Sequence, residues 1–153
     1  MIKMVTGITF RYNISIIYLI DEMIENGYYD NREEYLRLAI YFLARFLRKL
    51  IDDPRCLAEF VNRLRDVLSK VFGDYLDKGE MHPRFLRISD SAANIINKTI
   101  EIGLFENVSD FIELAIKFHI FFLTCFNDIY DKIFANKQDL VKIECKNLSE
   151  RLN

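Results

Sequence analysis

Apolar and polar positions alternate over Ile8-Thr9-Phe10-Arg11-Tyr12, and the period then lengthens from two to between three and four. The alternation predicts a short strand with Ile8, Phe10 and Tyr12 inward and Thr9 and Arg11 on an open face. Ile16, Ile17, Ile20, Met23 and Ile24 mark a helix to about Asn26. Asn13 or Ser15 is its expected cap, and Gly27 can take the left-handed conformation that ends it. Asn31 then stands three residues before Glu34, close to a capping box. A second helix from about Arg32 to Leu50 carries a wide apolar face made by Tyr35, Leu36, Ala39, Ile40, Phe42, Leu43, Phe46 and Leu47.

Asp52-Asp53-Pro54 opens a third helix near 54–72, with Pro54 suited to its first turn. It is expected to bury Leu57, Phe60, Val61, Leu64, Leu68 and Val71 and to stop at Gly73. Residues 74–82 read as a polar loop, after which the opening pattern restarts. Phe85-Leu86-Arg87-Ile88 is a strand near 84–88, with Leu86 and Ile88 inward and Phe85 and Arg87 outward. Ser89 or Asp90 caps a helix to about Ile102, which Gly103 ends. Asn107 caps a long apolar helix to about Phe126. A weaker amphipathic helix is expected near 128–151.

A shift of 76 positions overlays the two units with 13 identities over residues 11–47 and 87–123. Arg11 falls on Arg87, Ser15 on Ser91, Gly27 on Gly103, Asn31 on Asn107, and Leu38-Ala39-Ile40 on Leu114-Ala115-Ile116. Phe42, Phe46 and Leu47 fall on Phe118, Phe122 and Leu123. The matches sit at the strand, the helix stop, the cap and the core, where geometry is demanding. The chain therefore reads as a tandem repeat. Its parts are a first unit (1–50), a connecting helix and loop (51–82), a second unit (83–126) and a C-terminal helix (127–153).

Composition narrows the picture. Hydrophobic residues make up 51% of the 153, enough for a sizeable core, while 5 glycines and 2 prolines favour long helices over a many-stranded sheet. The net charge of −2 denies the chain a general basic surplus. Any basic footprint must be local, made by a few side chains on one face. Cys56, Cys125 and Cys145 are odd in number and lack CxxC spacing, so buried reduced thiols of a cytoplasmic protein are expected. The apolar run from Phe111 to Phe126 contains Glu113, Lys117 and His119 and is too short and too charged to span a bilayer. No apolar leader segment stands at the start of the sequence.

Strand, helix, glycine turn and Asn-capped helix, in that order, resemble the ribbon-helix-helix family of DNA-binding repressors (Arc/MetJ/CopG type). The likeness is carried by Ile8-Thr9-Phe10-Arg11-Tyr12, Leu19-Ile20-Asp21-Glu22-Met23-Ile24, Asn26 through Glu34, and Leu36-Arg37-Leu38-Ala39-Ile40, and it covers roughly half of the chain. In that family two chains pair their strands and wrap four helices into one core. The resemblance implies a mainly α fold in which both halves lie in one chain: a pseudo-dimer with an antiparallel two-stranded ribbon. Two such chains exchanging halves, or a homodimer of pseudo-dimers, is the other arrangement.

The resemblance also implies double-stranded DNA as partner, with the ribbon in the major groove. Thr9, Arg11, Phe85 and Arg87 would face base edges: arginine suits guanine, threonine can hydrogen-bond, and an apolar side chain can touch the thymine methyl. The N-termini of the second helices would hold backbone phosphates through Asn31 with Arg32 and Asn107 with Ser109. Glu33, Val108 and Phe85 depart from the family's pattern at these places. The extra helices, the slightly acidic balance and Phe85 favour the alternative of a ribbon-helix-helix derivative that has lost DNA binding and serves as a protein-interaction or oligomerisation module. No catalytic role is expected: His82 and His119 have no cysteine or carboxylate at ligand spacing, and there is no glycine-rich phosphate loop. No cofactor or metal is expected. His119 reads as a core or interface histidine, and Asp52-Asp53 and Glu33-Glu34 suit the positive ends of helix dipoles.

Overall fold

The computed structural model describes residues 6–74, 76–126 and 138–152. Its elements are β1 (Thr6–Asn13), α1 (Ile14–Glu25), α2 (Arg32–Arg48), α3 (Pro54–Phe72), β2 (Met81–Ile88), α4 (Asp90–Glu101), α5 (Val108–Phe126) and α6 (Gln138–Leu152). The architecture is mainly helical, and β1 and β2 form a two-stranded antiparallel sheet. Both strands run further than the alternation suggests, and Met81 and His82, expected in a loop, belong to β2. Pro83 is tolerated there because it lies opposite Arg11, whose backbone N–H turns away from β2 and donates to Ser109 Oγ at 2.9 Å. At such a position the missing proline N–H costs no ladder bond. Of the C-terminal helix expected over 128–151, residues 128–137 lie outside the described residues.

The inward and outward faces of the ribbon are those the alternation predicts. Ile8, Phe10, Tyr12, Leu86 and Ile88 are buried, whereas Thr9, Arg11, Phe85 and Arg87 are exposed. Helices α2 and α5 pack against each other beneath the ribbon, α5 lies on β1, and α3 and α6 close the far side of α5. Helix α3, of 19 residues and about 28 Å, carries the chain across the body to the start of β2.

The same local bonds recur in both halves at the offset of the repeat. Asn31 Oδ1 accepts from Glu34 N at 2.8 Å, and Asn107 Oδ1 accepts from Asp110 N at 2.9 Å. The reciprocal bond goes one residue further out than in a standard capping box: Asp30 N donates to Glu34 and Glu106 N to Asp110. Gly27 and Gly103, at φ 81° and 83°, each donate to the carbonyl three residues back and end α1 and α4. The first caps differ. Ser89 caps α4, accepting from Ala92 N, but Asn13 caps nothing with its side chain, and Ser15 Oγ is buried without a partner.

Residues 76 apart also meet in space. Thr9 stands opposite Phe85 in the ribbon register. Phe42, partly buried at the edge of the core, packs against the fully buried Phe118, ring centroids 5.1 Å apart. Around that pair Phe42 touches Phe122 at 4.7 Å and Phe118 touches Phe46 at 5.4 Å, two contacts that exchange under the same offset.

The expectation of three buried, reduced cysteines is overturned. Cys125 and Cys145 form a disulfide that ties α6 to α5, and Cys56 is free and exposed. Cys125 ends one helix and Cys145 lies in another, so no local spacing could announce the bond. The Cys56 thiol, bonded to the Asp53 carboxylate that caps α3, has its pKa raised by that partner.

His119 is a core histidine, 4% exposed, its Nδ1 3.4 Å from Tyr35 Oη, among the rings of Tyr29, Tyr35 and Phe42. Burial pushes its pKa from 6.5 down to about 4. Between those values the unfolded chain takes up a proton that the folded chain refuses, so stability falls as pH drops through the window. The loss should approach about 3 kcal/mol near pH 4. Urea unfolding of His119→Phe, compared with the parent at pH 7 and pH 4.5, is expected to lack this drop; equal drops would contradict it. Asp21 and Asp110, whose pKa values are lowered, lose stabilisation only further into acid, and do so in both proteins.

Candidate nucleic-acid interface

The exposed face of the ribbon is built by alternate residues of two strands. Gly7, Thr9 and Arg11 come from β1, and Met81, Pro83, Phe85 and Arg87 from β2, all exposed. The face has two cations and no carboxylate among these positions. Among the described residues neither guanidinium is in an ion pair. On a chain of net charge −2, this is a local basic footprint. Arg11 lies two residues beyond Thr9, and Arg87 two beyond Phe85, on antiparallel strands. The two arginines therefore stand on opposite sides of the Thr9–Phe85 pair.

The backbone beneath each arginine is held by a helix from the other half of the chain. Ser109, in the first turn of α5, accepts from Arg11 N. Arg37, in α2, donates from Nε to the Arg87 carbonyl at 2.9 Å. Two rigid helices thus anchor the ribbon at the positions that carry its charge, a condition for precise recognition. Sequence reasoning gave Arg37 no role. Nothing local marks it, because its partner is 50 residues away.

The proposed phosphate positions are placed less simply. Asn31 and Asn107 sit at the mouths of α2 and α5 with their side chains committed to capping. The Arg32 guanidinium is held by Asp21 through two bonds of 2.7 Å, and Arg32 holds the Asp21 carboxyl below its ordinary range. Ser109 Oγ accepts from Arg11 N, which engages a lone pair and leaves its hydroxyl proton to donate. An anion at either helix start would meet the backbone N–H groups and the dipole together with the side-chain donors that these bonds leave unused. Glu33, which in sequence looks repulsive to phosphate, is paired with Arg84 from the inner side of β2. Tyr12 lies within the field of these two ion pairs, and burial raises its pKa. On the α5 side Val108 and Ser109 replace Arg32 and Glu33, so this charged network exists in one half alone.

Helix α5 has its own brace. Arg65 of α3 holds Asp110 through two bonds, reaches the Leu104 carbonyl at 2.9 Å and lies 4.8 Å over the Phe105 ring. Burial works against the Asp110 carboxylate, but Arg65 and the Glu106 N–H outweigh it and keep its pKa low. Elsewhere the described residues contain no group of three or more His, Cys, Asp or Glu side chains placed to hold a metal. No helix among them is long and apolar enough to cross a membrane.

Comparison of the chain with family models, with curated proteins and with solved structures finds no match.

Proposed function

We propose that this chain is a sequence-specific DNA-binding protein, a transcriptional repressor or regulator of the cytoplasm, in which two ribbon-helix-helix units are fused into one pseudo-dimer. The observation that carries the reading is the ribbon's register. Thr9 and Phe85, equivalent in the repeat, face each other, and the equivalent arginines Arg11 and Arg87 flank them on an exposed face without acids. A two-stranded ribbon fits the major groove, and outward arginines at related positions suit guanines in the two halves of a site. The paired Phe42 and Phe118 support a shared core, as a pseudo-dimer requires. The reading assigns the chain no catalytic step and no cofactor, and it allows a homodimer of pseudo-dimers on longer sites.

The second reading, a protein-interaction or oligomerisation module, is favoured by Met81, Pro83 and Phe85, an apolar row along β2's exposed face. A salt series separates the two. Binding to duplexes enriched from a random pool, followed by anisotropy from low to moderate salt, should show log affinity falling linearly with log salt. Failure to bind any duplex at low salt by a folded protein would contradict the DNA reading.

A further inference from the structure

We infer that Phe85 is a specificity-determining residue: its ring, seated on Gly7, reads thymine methyl groups on one arm of the bound duplex. The inference rests on the DNA-binding reading. A Cβ placed on Gly7 would stand 2.6 Å from Cε2 and from Cζ of Phe85, so a side chain at position 7 would displace the ring from this seat. Thr9, not Gly7, is directly opposite Phe85; Gly7 is opposite Arg87. The ring therefore leans diagonally off the central pair and lies over the strand on the Arg87 side, a reach that aromatic side chains can make across a ribbon. It is laid down on the strand yet 56% exposed. The position equivalent to Gly7 in the repeat is Pro83, and the one equivalent to Phe85 is Thr9. The other arm thus carries Arg11 and Thr9 and has no such aromatic plate.

The chemistry of the plate selects its ligand. A phenyl ring has no donor or acceptor. Pressed on the exocyclic amine of cytosine or adenine, or on the acceptors of guanine, it would leave those groups dehydrated and unpaired, which is costly. The thymine C5-methyl is the apolar feature of the major-groove edge. Glycine beneath the ring keeps it low enough for Arg87 and Arg11 to reach base edges over it. The same symmetric frame thereby reads an asymmetric site, with thymine required beside the Arg87 contact and not beside the Arg11 contact.

Uracil substitution tests this without touching the protein. Duplexes enriched from a random pool are remade with uracil for thymine at one position at a time, which removes the methyl alone. Loss at the sensitive positions should be about fourfold each, the worth of one buried methyl, and confined to one arm. Phe85→Ala should abolish the difference between thymine and uracil, and Gly7→Ala, which lifts the ring, should reduce it, with melting temperatures kept within a few degrees. Specific binding with equal affinity for thymine and uracil at every position overturns the inference and leaves DNA binding standing. Discrimination that survives Phe85→Ala also overturns it. No enrichment of any sequence overturns both readings.

Discussion

Replacing Arg11 and Arg87 together by alanine should weaken binding to an enriched duplex by roughly a hundredfold or more while leaving the protein as stable as before. Each bidentate arginine–guanine contact is worth about 1–3 kcal/mol of discrimination, so two act in the range of about 2–6 kcal/mol. Neither side chain helps the core: both are exposed, and it is their backbones, not their guanidinium groups, that bond to Ser109 and Arg37. Each single variant should lose about tenfold, and its loss should map to its own arm of the site. Electrophoretic shift against competitor duplex measures the specific part. Unchanged specific affinity in the double variant would remove the ribbon from the interface.

Phe118→Ala is the largest stability effect expected. Phe118 is fully buried and packs against Phe42, Phe46 and Phe122, and its ring meets Phe60 of α3 edge-on at 6.4 Å. It touches both repeats and the connecting helix at once. Truncating such a ring costs about 3–5 kcal/mol, a large part of the stability of a domain this size. Because the core is shared, the loss should appear as one cooperative transition at lower denaturant, seen equally by probes in the first and second halves. Two separated transitions, with only the second half destabilised, would mean that the halves fold as independent units.

Much of the fold is legible along the chain because its signals are local. The alternation at Ile8 to Tyr12 orients β1, and the same period restarting at Phe85 orients the outer part of β2. Gly27 and Gly103 end helices, and Asn31 and Asn107 begin them, through bonds to residues within four positions. What escapes the sequence depends on distant partners. Glu33 looks like a repulsive charge until Arg84 is seen beside it, 51 residues away. Arg32 looks free for phosphate until Asp21, on the preceding helix, is seen to hold its Nε and one terminal nitrogen. Cys125 and Cys145 are brought together only by the packing of α6 on α5. Gly7 shows an intermediate case. A glycine at a strand edge is a sign of close approach, but the alternation begins at Ile8, and the ring that needs the space arrives from residue 85.

On the DNA-binding reading, the exposed ribbon face meets the duplex, flanked by the first turns of α2 and α5. Backbone amide spectra recorded during titration with an enriched duplex test it most directly. The account predicts the largest shifts at Thr9, Arg11, Phe85 and Arg87 and at the amides that open α2 and α5, with small shifts along α3. Large shifts centred on α3 or α6, with Thr9 and Arg87 unmoved, would contradict it.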